Sequence, residues 1–89
     1  MKTYLFIYSD AMGNRDALKA AIAGIPEIIR WRYDIPNSFY IYSNASADEL
    51  TEKMANKFPG RKCFLFLEIS ENRQGYLSRE TWNFINQKS

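Results

Sequence analysis

Three short runs constrain this chain most: TYLFIY (3–8), SFYIYS (38–43) and KCFLFLEI (62–69). Each is dense in aromatic and β-branched residues and is bounded by polar or glycine-containing segments. Runs of this length and type are strands. A fourth run, IIRWRYD (28–34), is separated from SFYIYS only by Ile35-Pro36-Asn37, a connection short enough for an antiparallel hairpin. Between the first two strands, Leu18, Ala21, Ile22 and Ile25 recur at the i, i+3, i+4, i+7 spacing of a helix with one apolar face. Asn14 is placed to cap that helix and Pro26 to stop it. Between the third and fourth strands, Ser46-Ala47-Asp48-Glu49 reads as a capping box that opens a second helix carrying Ala47, Leu50 and Met54 on one face. Pro59-Gly60 ends it. The order is therefore βαββαβ, the signature of a ferredoxin-like α+β fold: a four-stranded antiparallel sheet with two helices on one face.

At 89 residues the chain is one domain, 1–89, with 74–89 as a C-terminal tail. In that tail Gly75-Tyr76-Leu77 is expected as a short fifth strand, and Ser78 as the cap of a last helical turn or two carrying Trp82, Phe84 and Ile85. Twelve basic and ten acidic residues leave a formal charge of only +2, so no polybasic footprint argues for nucleic acid. Histidine is absent, which removes the commonest general base and every His-containing metal site or triad. The single cysteine, Cys63, allows no internal disulfide and is expected as a small buried hydrophobe in its strand. No apolar stretch approaches the roughly 20 residues that span a bilayer, and no signal peptide precedes the first strand, so a cytoplasmic protein without a membrane partner is expected.

The compositional anomaly is 16% aromatic residues. Side chains alternate along a strand, so polar residues set the phase of each one. Lys2 phases with Tyr4, Phe6 and Tyr8; Glu68 phases with Phe64 and Phe66; Arg30 goes with Arg32, and Tyr40 with Tyr42. This assigns Leu5, Ile7, Ile29, Trp31, Phe39, Ile41, Cys63, Leu65, Leu67 and Ile69 to the helix side. The open face becomes Tyr4, Phe6, Tyr8, Arg30, Arg32, Tyr40, Tyr42, Phe64, Phe66 and Glu68. A helix-free face so rich in aromatics is a binding surface. It could pack on a second copy across a two-fold axis, with Glu68 paired to Arg30 or Arg32 of the facing sheet, or it could stack the bases of a single-stranded nucleic acid. The homodimer is preferred. The aromatics outnumber the bases such a sheet stacks, and the basic-Gly-aromatic-Gly signature of RNA recognition motifs is missing.

YLFIYSD, SFYIYSNASADELTEKM and KCFLFLEISENRQGYLSRETWNFI together resemble the small SinR-like proteins related to the second CRISPR-associated (Cas) adaptation protein, and more distantly the VapD-type ribonucleases. The resemblance implies a ferredoxin-like fold and a homodimer made by stacking open sheets. It also implies a C-terminal strand exchanged with the partner, here Gly75, Tyr76 and Leu77 followed by Trp82. In the nuclease members of that group an aspartate directly follows the tyrosine ending the first strand, and two such carboxylates hold a divalent metal at the dimer axis. In this chain Ser9 follows Tyr8 and Asp10 comes one residue late. A one-residue offset reverses side-chain direction in a strand. The reading is therefore a non-catalytic homodimeric interaction protein without a cofactor. The alternatives are a ribonuclease using Asp10 with magnesium or manganese, and a single-strand binding module using the sheet face.

Overall fold

Each helix begins where the sequence supplies a partner for otherwise free backbone donors. The computed structural model describes residues 1–87, arranged as β1 (Lys2–Tyr8), a 3₁₀ turn (Asp10–Met12), α1 (Arg15–Ala23), β2 (Ile28–Arg32), β3 (Ser38–Ser43), α2 (Ala47–Ala55), β4 (Phe64–Glu68) and α3 (Arg79–Ile85). Asn14 caps α1 by accepting from the Ala17 amide at 2.9 Å. The capping box of α2 is complete: Ser46 Oγ accepts from the Glu49 amide at 3.1 Å, and Glu49 Oε1 accepts from the Ser46 amide at 3.2 Å. Ser78 caps α3. Gly13, with φ of 132°, makes the turn into α1, where a Cβ would meet Ala17 Cβ at 3.1 Å.

The strands form one antiparallel sheet in the order β2-β3-β1-β4. This is the ferredoxin-like order, with α1 and α2 sharing one face. The expected fifth strand is not formed within the chain: residues 75–77 are in irregular structure. The second strand ends at Arg32, two residues short of the end of IIRWRYD, and a bulge between Ile28 and Arg30 shifts its register with β3. The bulge turns Ile28 toward the core and leaves Ile29 exposed, where strict alternation expected Ile29 inside.

The face assignment of two strands is corrected. Tyr4, Phe6 and Tyr8 of β1 and Phe66 of β4 are buried together with Leu18, Ile22, Leu50 and Met54 of the helices, and Phe64 packs against the same cluster. These aromatics form the helix-side core. Phe6 is wholly buried at its centre, stacked on Phe66 at 4.6 Å and on Tyr8 at 5.7 Å between ring centroids. Tyr4 satisfies its hydroxyl by donating to the Ala45 carbonyl at 2.7 Å. Burial, and then the nearby Glu68 and Glu49 carboxylates, push the Tyr4 phenol above its usual range. Glu68 follows the same phase but ends its strand and is exposed. Leu5, Ile7, Leu65 and Leu67, expected under the helices, lie on the opposite face. Cys63 is exposed rather than buried. The assignments of Arg30, Arg32, Tyr40 and Tyr42 to the opposite face hold, since each pairs across β2 and β3 with a neighbour on that side.

That opposite face is half covered. α3 lies over β2 and β3, where Tyr40, Tyr42, Phe84 and Ile85 form a second apolar cluster, joined by Leu5, Ile69, Leu77 and Trp82.

Candidate functional site

α3 divides the open face into a closed half and a bare half. On the closed half, Phe84 stacks on Tyr42 at 4.1 Å, and the Arg30 guanidinium lies 5.4 Å from the Tyr42 ring and 5.3 Å from the Phe84 ring. The start of α3 is held by a polar cluster. Arg32 Nε donates to Thr81 Oγ1 at 2.8 Å, and the Thr81 hydroxyl donates to Asp34 Oδ2 at 2.9 Å. Ser78 Oγ reaches the same Thr81 oxygen at 3.0 Å. Thr81 is fully buried, so its hydroxyl relies on these bonds rather than on water. Burial, and next the Asp34 charge, raise the Tyr40 phenol above its usual range. Burial raises the Tyr42 phenol as well, against the opposing pull of Arg30.

On the bare half, β1 and β4 present aliphatic side chains to solvent. Ile7 is 42% exposed, Leu65 53% and Leu67 54%. Ile7 and Leu65 are direct cross-strand neighbours, as are Leu5 and Leu67, so the four side chains form one contiguous surface. Beside Ile7 and Leu65 a shallow apolar depression of about 330 Å³ is completed by Tyr8, Ser9, Cys63 and Phe64. The strand carrying Leu65 and Leu67 is also the sheet edge.

The site residues read from the sequence are thus dispersed. Tyr4, Phe6, Tyr8 and Phe66 are in the helix-side core, and Phe64 lies half-buried beside them. Tyr40 and Tyr42 are covered by α3, and Trp82 packs half-buried on the same cluster. Arg30 and Arg32 are engaged under and beside α3. None of the sheet rings singled out for base stacking is freely exposed. Gly75 and Tyr76 are exposed in the segment leading to α3.

Asp10 has a local role. It opens the 3₁₀ turn that Ser9 caps, and its Oδ1 accepts from Asn37 Nδ2 at 2.8 Å. Asn37 also donates to the Tyr8 carbonyl at 3.1 Å and adopts a left-handed φ of 62° in the turn between β2 and β3. The pair ties the end of β1 to that turn. Among the described residues, no group of three or more Cys, Asp or Glu side chains is placed to hold a metal ion.

The surface missed in the sequence is Leu5, Ile7, Leu65 and Leu67. Its signal was the small-residue content of the helices. A face built of Ala21 and Ala47 among Leu18, Ile22, Leu50 and Met54 leaves volume that large sheet side chains must fill, which assigns the rings to the helix side. The chain matches no protein-family model, no curated protein and no solved structure. Among the described residues, no helix is long and apolar enough to cross a membrane.

Proposed function

We infer that this is a small interaction protein that works as a homodimer through the β1/β4 half of its open sheet face and carries no catalysis of its own. The observation behind this reading is the contiguous aliphatic surface of Ile7, Leu65 and Leu67, left in water on a sheet face that elsewhere is covered. Leaving such a surface bare costs stability at roughly 25 cal/mol per Å² of apolar area, which a partner recovers by covering it. The absence of histidine and the engagement of Asp10 by Asn37 support a binding role over a hydrolytic one. The resemblance to the SinR-like group, whose members commonly dimerise, supports the same reading. Stacking of complete open faces does not suit this chain, because α3 occupies the β2/β3 half.

Sedimentation velocity over a concentration series tests the reading. A dimer at micromolar concentration is expected. A monomer up to about 100 µM, corresponding to less than about 6 kcal/mol of association free energy, would sink it.

A further inference from the structure

The apolar patch does not by itself say how two copies meet; the backbone and charges of β4 do. The Ser9 amide donates to the Cys63 carbonyl at 2.9 Å, and the Ile69 amide to the Thr3 carbonyl at 2.8 Å. Both pairs continue the register in which Leu65 opposes Ile7 and Leu67 opposes Leu5. In an antiparallel ladder the residues of one parity direct both backbone groups to one neighbour. Cys63, Leu65, Leu67 and Ile69 therefore bond to β1. Phe64, Phe66 and Glu68 turn their amide and carbonyl groups to the outer edge, where no partner is found among the described residues.

This outer row is complementary to itself. Rotated by two-fold symmetry about Phe66, β4 opposes a second β4 with Phe66 facing Phe66 and Phe64 facing Glu68. Those are the residues whose backbone groups point outward, so the pairing closes about six hydrogen bonds. On the open face the same rotation sets Leu65 against Leu67 of the other copy in a closely spaced pair, so that each copy covers part of the other's aliphatic patch. The flanks agree. Arg61 and Lys62 precede the strand, Glu68 and Glu71 follow or end it, and all four are exposed. Antiparallel pairing brings the basic flank of each copy to the acidic flank of the other; parallel pairing would set like charges together.

We propose that two copies of this chain join edge to edge through β4, antiparallel about Phe66, into one continuous sheet. The proposal rests on the homodimer reading and specifies its geometry. The assembly closes as a dimer because the far edge, β2, is bulged, arginine-bearing and flanked by Pro26 and Pro36.

Charge swapping tests it. Glu68→Lys with Glu71→Lys makes both flanks basic, and Arg61→Glu with Lys62→Glu makes both acidic. Each double variant alone should dimerise at least about tenfold more weakly than the unaltered chain in low salt. An equimolar mixture of the two should recover a dimer, which also shows that both variants fold. Ile29→Glu alters the exposed β2 edge instead, and should leave the dimer in place. In hydrogen exchange, the Phe64, Phe66 and Glu68 amides should gain protection as concentration rises. If both charge variants dimerise as well as the unaltered chain, or if Ile29→Glu alone abolishes the dimer, β4 edge pairing is overturned while the homodimer stands. A chain that is monomeric throughout overturns the homodimer reading itself.

Discussion

The two edges of this sheet are built to opposite rules. β2 carries a bulge, two arginines and a proline just outside each end. Its Trp31 and Tyr33 rings are stacked 6.3 Å apart and approached by cations, with Arg15 4.2 Å from the centre of the Tyr33 ring. Each of these devices discourages another strand from adding. β4, FLFLE, has no proline, glycine or lysine, and no irregularity in its register with β1. One edge of a sheet can be left able to pair only if the other is blocked, since two open edges lead to fibres rather than to a closed particle. The contrast teaches that the plainness of β4 is selective: the chain contains the means to guard an edge and applies them on one side.

Of the two edges, β4 depends more on one buried ring. Phe66→Ala should cost about 3–5 kcal/mol in denaturant unfolding, because it removes a ring stacked on Phe6 in a closed core. A cost below about 1 kcal/mol would mean that the edge strand is not packed as described. On the guarded side, Thr81→Val should cost about 1–3 kcal/mol, since it leaves Arg32 and Asp34 without their shared partner. It should also speed hydrogen exchange in α3 more than in β4; equal acceleration in both would contradict the division of the face. Leu65→Lys should shift monomer stability by no more than about 0.5 kcal/mol, as expected for an exposed position, while raising solubility. Unchanged solubility would argue that the patch is already protected.

Alkaline titration sharpens the same contrast. Tyr40 and Tyr42 lie beneath α3 and Tyr4 in the helix-side core, and all three phenols are held above their ordinary value of 10.0. A phenol whose folded value is raised binds its proton more tightly folded than unfolded. Its stabilising contribution is full below about pH 10 and is lost as pH rises through the folded value. Stability should therefore fall above about pH 10, and the loss should shrink when Tyr40→Phe and Tyr42→Phe remove two of the phenols. An unchanged alkaline limb would show that these groups are not set by burial.

Much of this architecture was legible in the sequence, because local signals agreed with one another. The Asn14 cap, the Ser46–Glu49 box and the Ser78 cap all stand where the residue types require them. The order of strands and helices followed from their periodicities. The phase of β1 and β4 did not. Lys2 and Glu68 were read as marking the solvent side, yet both sit at strand termini, where a long side chain reaches water from either face. Between them β1 and β4 are apolar on both faces, because one face packs the helices and the other meets α3 or remains open. Alternation carries no information when neither side is polar. β3 and the Arg30–Arg32 part of β2 follow the expected phase, because the arginines lie within their strand and the wholly buried Phe39 and Ile41 occupy one face; Ile29, beside the bulge, does not. The position of α3 depends on contacts such as Gln87 to Thr3, made across 84 residues, for which no local pattern exists.

The long reach of that helix also bears on how the chain assembles. α3 follows every strand, so any folding intermediate that has formed the sheet before α3 docks still exposes Tyr40 and Tyr42. Such an intermediate has both halves of its open face bare, and only later acquires the asymmetry that distinguishes one half from the other. A chaperone that meets the sheet before α3 docks would find a surface that the finished protein no longer shows.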